Sequence, residues 1–197
     1  MVSLLSAKRK KGKRQSFRKL FNNIVIVSPS THTINNDLFE GLDGGKKFSS
    51  FSHDVIDKVA ELSEKEVGEA ETNYTLLVLD DVSTALRRDA KLEKRLVQLF
   101  QNRRHMDLSI WVITQKYRDL PTGVRSNLSH FITFKPKTLP EMEAIFNEIM
   151  PFKKSYMLDF FDYIFGKKHA FLFIDMSLRE SGNFEFYKNF NRLTITA

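Results

Sequence analysis

Two adjacent carboxylates, Asp80 and Asp81, directly follow the apolar run Leu76–Leu79. A continuous Leu/Val run predicts a strand that is buried on both faces, as in parallel sheets covered by helices. Such a strand excludes charges from its interior, so the pair must lie where the strand emerges, and ligands of open α/β sheets bind at that edge. There one carboxylate can hold a metal ion while the other orients or deprotonates a nucleophile. The structural alternative is that these residues cap a helix or lie in its first turn.

Polar groups also end the next apolar run, because Thr114 and Gln115 follow Ser109–Ile113. A glutamine amide can donate a hydrogen bond to a phosphate oxygen while it accepts one from water. In nucleotide hydrolases a Walker B aspartate serves the magnesium ion, and a glutamine can orient the attacking water. The two strand ends together therefore favour a nucleotide-hydrolysis site, whereas the structural alternative for Gln115 is a turn residue at the end of a strand.

Predicted strands and helices alternate along the chain, and these elements must position the polar side chains. This alternation predicts an α/β fold with three layers, a mainly parallel sheet and helices on both faces. The tail, residues 183–195, is expected to add a hairpin or an edge strand, and residues 35–53 are expected to form a loop around a short helical piece. The predicted strands are residues 23–27, 76–79, 109–113, 129–134 (alternating, near an edge) and 170–175, and the predicted helices are residues 54–71, 86–100, 140–150 and 155–165.

Length and composition are those of a folded protein with one well-packed domain. The chain has 197 residues, of which 42% are hydrophobic and 18 are Phe, so it can bury a sizeable core. It has no cysteine, which excludes disulfides and thiolate metal sites. No apolar run approaches the roughly 20 residues that span a bilayer. The sequence therefore predicts a soluble protein of intracellular type.

The formal net charge of +7 is concentrated near the N-terminus. Residues 1–36 contain no acid, and the rest of the chain is close to neutral. Such a cluster can contact the phosphates of a nucleic acid or act as a nuclear-import signal, and the alternative is a solvated helix end. The candidate nucleic-acid contacts are Lys8, Arg9, Lys10, Lys11, Lys13 and Arg14, with Arg18 and Lys19 following.

The segments around the two strand ends resemble those of a known family. They are similar to segments of the poxvirus-type genome-packaging ATPases of the FtsK–HerA superfamily. The similar segments are the strand that ends in two carboxylates, the Leu-rich helix, Arg103–Gln115, Leu120–Asn127 and Phe131–Lys135. The resemblance covers roughly residues 22–195. It implies a RecA/ASCE-like P-loop fold and an ATP-driven homo-oligomeric ring, with ATP and magnesium as cofactors. It also implies double-stranded DNA and capsid or portal components as partners, in the host cytoplasm (virus factory) or the virion.

The resemblance also implies roles for individual residues. Asp80 would hold magnesium, Asp81 would orient or deprotonate the attacking water, and Gln115 would sense the γ-phosphate. Arg125, in a polar loop, would reach the nucleotide of a neighbouring subunit, where a guanidinium suits developing phosphoryl charge. The alternative for Arg125 is a surface or salt-bridged arginine. The Arg103–His105 segment could contact DNA or a subunit interface, and its alternative is a solvated loop.

The phosphate-binding loop G-x-x-x-x-G-K-[ST] is the part of the family pattern that the sequence lacks. Its one candidate, Gly41–Lys47, has three residues between Gly41 and Gly45 where four are needed, and Lys47 replaces the hydroxyl residue. The candidate is therefore rejected. In the family the loop precedes a helix leading to the strand at residues 23–27, and here Met1–Ser6 falls in the body of that helix.

The expectation is consequently an N-terminally truncated P-loop domain. Residues 1–21 would be the remaining basic helix and loop, and residues 22–197 a single P-loop NTPase-like domain. The sequence would be a fragment, a reading frame taken from an internal Met, or a protein that has lost the loop, and it is expected to bind ATP poorly alone. Two other functions stay open. One is a non-catalytic or degenerate paralogue that binds DNA or an intact ATPase subunit, and the other is an unrelated α/β nucleic-acid-binding protein.

Overall fold

The chain divides into two compact units, residues 1–115 and 116–197, and each is described by itself. The structure is a computed structural model that describes residues 20–31, 46–64, 73–177 and 184–194. The expected basic helix and most of residues 1–21 lie outside these ranges. The single domain expected over residues 22–197 stays a prediction.

A four-stranded parallel sheet forms the centre of the first unit, with the strand order β2-β1-β3-β4. The inner strands β1 and β3 have neighbours on both sides, and Leu76–Leu79 is fully buried, as the apolar run predicted. The α/β prediction with a parallel sheet is thus confirmed. The strands are β1 (Asn23–Val27), β2 (Lys46–Phe48), β3 (Thr75–Asp80) and β4 (Leu108–Ile113).

Three helices of the first unit are described: α1 (His53–Glu64), α2 (Ser83–Arg88) and α3 (Ala90–Asn102). The prediction of one continuous helix over residues 86–100 is wrong, because the chain leaves the helical conformation at Asp89 (φ −136°, ψ 97°). The Asp89 carboxylate instead accepts hydrogen bonds from the backbone N–H groups of Lys91 and Leu92. An Asp side chain competes well for such groups, which ends one helix and caps the next.

Two further details of the first unit differ from the sequence prediction. The apolar run at residues 109–113 predicts a buried strand, but in β4 only Leu108 is buried and Ile113 is 39% exposed. Among the described strands β4 pairs with β3 alone, so it is an outer strand of its sheet. The strand β2 lies where a loop was expected, and Lys46 and Lys47 begin this strand rather than a helix. That placement agrees with the rejection of the Gly41–Lys47 candidate, whose residues 41–45 lie outside the described ranges.

An antiparallel sheet of order β5-β6-β7-β8 forms the second unit. Its alternating outer strand β5 and the β7–β8 hairpin confirm the predictions for residues 129–134 and for the tail. Buried aromatic rings, Phe146 and Phe161 among them, fill its core. The strands are β5 (His130–Phe134), β6 (Phe171–Asp175), β7 (Glu185–Lys188) and β8 (Asn191–Arg192), and the helices are α4 (Thr122–Arg125), α5 (Leu139–Ile149) and α6 (Met157–Phe165).

Within the described residues, the helices are too short or too polar for any of them to cross a membrane.

Candidate functional site

The carboxyl ends of β3 and β4 bring together Asp80, Asp81 and Gln115. Because β3 and β4 are parallel, Asp80 lies beside Ile113 in the register. Asp81 and Gln115 follow at the same edge of the sheet. The parallel register therefore places these polar groups at one edge of the sheet, where the carboxyl ends of the strands meet.

Asp81 turns the chain sharply away from the sheet. Its φ of 53° is in the left-handed region, which Asp tolerates better than most residues. Its backbone N–H donates a hydrogen bond of 3.1 Å to the carbonyl of Ile113. The Gln115 amide Nε2 lies 3.5 Å from the Asp81 Oδ2, a long hydrogen bond. The turn therefore leaves the Asp81 carboxylate exposed and directed toward the Gln115 amide.

Asp80 is held by Ser28, a residue outside the set that the sequence predicts for the site. The Ser28 hydroxyl donates a hydrogen bond of 2.8 Å to the Asp80 Oδ2, and Ser28 is 2% exposed. The backbone N–H of Ser30 donates to the Ser28 oxygen at 3.2 Å. One signal could have identified it, since Ser28 directly follows the apolar strand β1, as Asp80 ends the apolar strand β3.

The helix-capping alternative for the two carboxylates is wrong. The next helix, α2, begins at Ser83 with Val82 at its N-cap, no side chain caps it, and its first turn holds no acid. Within the described ranges, no lysine or arginine forms an ion pair with Asp80 or Asp81. Two neighbouring carboxylates that cap no helix and pair with no described cation are suited to bind a divalent cation.

A magnesium ion held here would need ligands beyond the two carboxylates. In the parts of the chain that the structure describes, no three His, Asp or Glu side chains are grouped to hold a metal by themselves. Magnesium sites in proteins commonly use one or two carboxylates, with water and substrate phosphates at the remaining positions. Asp80 supplies such a carboxylate, and its Oδ1 is not the atom that Ser28 contacts.

Arg125 lies in the second unit at the end of α4 and is held by contacts within its own unit. Its Nε and a terminal nitrogen donate hydrogen bonds of 2.9 Å to the two carboxylate oxygens of Glu148. Its other terminal nitrogen donates to the Leu120 carbonyl at 2.9 Å. The guanidinium lies 5.1 Å from the ring centroid of Tyr117, whose hydroxyl donates to Glu148. Burial, followed by the Glu148 charge, raises the pKa of Tyr117.

The other basic candidates are divided between described and undescribed residues. The N-terminal cluster Lys8–Arg14 lies outside the described residues. Arg103 donates a hydrogen bond to the Phe100 carbonyl at 2.5 Å, and Arg104 and His105 are exposed. Burial, with a smaller effect from the Arg104 charge, lowers the pKa of Arg103.

The family described as "Poxvirus A32 protein" matches the chain over residues 50–178. This segment is about two thirds of the chain and includes Asp80, Asp81, Gln115 and Arg125. The chain belongs to the poxvirus A32 protein family. The family resemblance noted in the sequence is thereby confirmed, and the family is viral. Ser28 precedes the matched segment.

Solved structures show which fold this poxvirus A32 family member has. It is similar to B204, the DNA-packaging ATPase from Sulfolobus Turreted Icosahedral Virus, with a TM-score of 0.59 and 14% identity. It is also similar to the genome packaging NTPase B204 from Sulfolobus turreted icosahedral virus 2 in complex with ATP-gammaS, with a TM-score of 0.54 and 15% identity. In both cases 86% of this chain and 83% of the other chain are covered. A search of curated proteins gives no match.

Proposed function

We propose that this protein is an ATP-driven motor that packages viral double-stranded DNA into a capsid. The observation that carries the proposal is the convergence of Asp80, Asp81 and Gln115 at one edge of a parallel sheet. Two findings support it. The chain belongs to the poxvirus A32 family, and its fold is that of two packaging NTPases, one of which was solved with a nucleotide analogue.

Asp80 is the proposed magnesium ligand, and a magnesium ion there would neutralise charge on the transferred phosphoryl group. The Ser28 hydroxyl donates a hydrogen bond to one carboxylate oxygen of Asp80 and so restricts the orientation of the carboxylate. A carboxylate restricted in this way loses less conformational freedom when it binds a ligand. Ser28 therefore prepares Asp80 for binding.

Asp81 is the proposed base or orienting group for the attacking water. It is exposed, follows the proposed metal ligand directly and has a left-handed backbone conformation. The Gln115 amide contacts the same carboxylate. An amide at this place can hold the carboxylate in position while its oxygen accepts a hydrogen bond from water.

The wider assignments rest on this proposal. The protein would act as a ring of identical subunits, with duplex DNA and capsid or portal components as partners, in the host virus factory or the virion. Arg125 would serve a neighbouring subunit only by leaving its contacts with Glu148 and Leu120. The N-terminal cluster Lys8–Arg14 is the proposed DNA contact outside the described residues, and deletion of residues 8–19 is expected to flatten the salt dependence of DNA binding.

The decisive test is ATP hydrolysis by the full gene product and by Asp81→Asn. The matched control is Asp107→Asn, because Asp107 is also exposed and also has a left-handed backbone (φ 45°). We expect Asp81→Asn to lower kcat by about 10²-fold or more, as removal of a catalytic base does, while Asp107→Asn hydrolyses ATP normally.

Two outcomes would contradict the proposal in different ways. Normal hydrolysis by Asp81→Asn would remove Asp81 from the mechanism. No hydrolysis by the full gene product would reject the motor and favour the non-catalytic paralogue that binds DNA or an intact ATPase subunit.

A further inference from the structure

The segment that connects the two site strands carries a local excess of positive charge. Between β3 and β4, residues 83–104 hold only two acids, Asp89 and Glu93. Beyond residue 36 the chain as a whole is close to neutral, so this excess is specific to the segment. Its basic residues are Arg87, Arg88, Lys91, Lys94, Arg95, Arg103 and Arg104.

Neither acid lies on the helix face that Lys91 and Lys94 share. Asp89 caps the helix through Lys91 N and Leu92 N, and it also pairs with His53 at 3.0 Å. The backbone hydrogen bond from Leu92, more than the contact with His53, lowers the pKa of Asp89. Glu93 lies two positions after Lys91, and such positions do not share a helix face.

One face of α3 therefore presents hydrogen-bond donors without a carboxylate. The opposite face packs inward through Leu92, Leu96, Leu99 and Phe100. The exposed face follows the spacing i, i+3, i+7, i+10 and i+11, which places its members on one side of a helix. We call it the α3 stripe, and its members are Lys91, Lys94, Gln98, Gln101 and Asn102, all exposed.

We infer that the α3 stripe binds the phosphate backbone of duplex DNA. Lysine ammonium groups and Gln or Asn amides are among the side chains that contact DNA phosphates, and such contacts carry no sequence information. From Lys91 to Asn102 the helix rises about 16 Å at 1.5 Å per residue, the length of about five base pairs at 3.4 Å each. This inference rests on the proposed packaging function and deepens it.

Charge complementarity favours DNA over a protein partner. Protein interfaces depend on buried aromatic or apolar anchors and are depleted in lysine. The stripe itself has no apolar member, and the larger hydrophobic residues of α3 are buried apart from the half-buried Val97, while the small Ala90 is exposed. Ordinary solvated helix faces intersperse both signs of charge, whereas the stripe carries only positive charge and amides.

The position of the stripe couples DNA to the candidate site. The α2–α3 segment begins two residues after Asp81 and leads into β4, which ends shortly before Gln115. DNA held on the stripe would therefore act on the segment that joins the proposed base to the proposed sensor. We expect duplex DNA to stimulate ATP hydrolysis partly through this contact.

The test compares two double variants of the full gene product. Lys91→Gln/Lys94→Gln removes the stripe charges, and Lys167→Gln/Lys168→Gln removes two exposed lysines of the second unit as a control for net charge. Binding of a labelled mixed-sequence duplex is measured by fluorescence anisotropy over a series of salt concentrations. DNA-stimulated and basal ATP hydrolysis are measured on the same preparations, and thermal unfolding confirms that both variants fold.

The slope of log K against log salt is negative, and its magnitude is expected to be smaller by about 1.8 in the stripe variant. Each of the two lost phosphate contacts accounts for about 0.9 of this change. It should bind the duplex about tenfold more weakly at moderate salt and lose DNA stimulation, while its basal hydrolysis and the control variant stay near wild type.

Three results would overturn the inference. If the wild type binds duplex and the stripe variant matches the control, the stripe is wrong and the packaging proposal stands. If the wild type does not bind duplex DNA, both the stripe inference and the packaging proposal are wrong. If the stripe substitutions weaken polyglutamate binding as much as duplex binding, the surface is a general polyanion site and its assignment to DNA is wrong.

Discussion

The Ser28 hydroxyl donates a hydrogen bond of 2.8 Å to the carboxylate of Asp80, across the ends of two neighbouring parallel strands. The two residues are separated by 52 positions in the chain, so only the pairing of β1 with β3 brings them together. This contact ties the proposed metal ligand to a buried residue. It therefore gives the exposed edge of the site a rigid support.

Replacing Ser28 by Ala should loosen Asp80 without emptying the site. We expect a loss of about 1 kcal/mol in the free energy of unfolding, the usual value of one hydrogen bond. The magnesium concentration for half-maximal ATP hydrolysis should rise several-fold, because Asp80 then samples orientations unsuited to the ion. Urea denaturation and a magnesium titration at saturating ATP measure the two effects.

The conservative variant Ser28→Thr keeps the hydroxyl and serves as the control. It should restore the magnesium dependence even if its extra methyl group lowers stability in this buried position. If Ser28→Ala and wild type require the same magnesium concentration, Ser28 is a structural residue alone.

Gln115 is expected to act through its amide. Gln115→Ala should lower kcat by about 10- to 100-fold, because a positioned polar group near the reacting atoms is lost. Gln115→Glu keeps the size but places a second negative charge near the Asp81 carboxylate, and like charges at this distance repel. We therefore expect Gln115→Glu to be at least as slow as Gln115→Ala, and steady-state hydrolysis assays compare them.

Thermal unfolding is the accompanying measurement for Gln115. Because the side chain is exposed, both variants should unfold close to the wild-type temperature. Hydrolysis by Gln115→Ala at the wild-type rate would exclude the sensor role.

Arg125 is expected to stabilise the second unit. Arg125→Lys keeps the charge but loses the planar fork that binds both oxygens of Glu148 and the Leu120 carbonyl. The Arg125 side chain is 13% exposed and that of Glu148 is 37% exposed, so solvent weakens the pair only in part. We expect a loss of about 1–2 kcal/mol in the free energy of unfolding.

The Glu148→Gln variant separates this role from a catalytic one. It leaves Arg125 in place but removes the charge partner, so it should lower stability to a similar extent. If Arg125→Lys abolishes hydrolysis while its stability and that of Glu148→Gln stay at the wild-type level, Arg125 acts on the nucleotide rather than on the fold.

Asp89 should make stability depend on pH at the acid end. Its pKa is lowered from the ordinary 3.8, chiefly by the Leu92 backbone N–H. A carboxyl group with a lowered folded-state pKa contributes stability that is fully present above its unfolded pKa. That contribution is lost as the pH falls through the lowered folded-state pKa.

We therefore expect Asp89→Asn to be less stable than wild type at neutral pH and the difference to close as the pH falls below the ordinary carboxyl range. Urea denaturation midpoints across this pH range measure it. The exposed Asp159→Asn in α6 is the matched control and should follow the wild-type curve. A gap that stays constant down to the most acidic pH would show that the carboxylate charge contributes nothing.

Much of the first unit could be predicted because its signals are local. The apolar runs of β1 and β3 give the buried strands, and the spacing of Val55, Ile56, Val59 and Leu62 gives the inner face of α1. Asp80, Asp81 and Gln115 could be identified because they are the polar residues that follow two successive apolar runs. Since the carboxyl ends of parallel strands meet at one edge, their proximity followed from the strand pattern.

Other features depend on competition that the pattern does not record. The sequence 86–100 has helical spacing throughout, yet the Asp89 side chain captures two backbone N–H groups and divides the helix. The edge strand β2, Lys46–Phe48, has no apolar pattern, because it is held by pairing with β1 rather than by burial. Both outcomes result from hydrogen bonds that local propensity does not predict.

By itself the sequence determined the α/β class, the family and the two acidic positions, because each is written in a contiguous stretch of residue types. Only the tertiary structure decided what holds those positions. It placed Ser28 on Asp80, the Gln115 amide on Asp81 and the Glu148 carboxylate on Arg125. Each contact joins residues at least 23 positions apart, and the order and register of the strands and helices, not the composition of any segment, set which side chains meet.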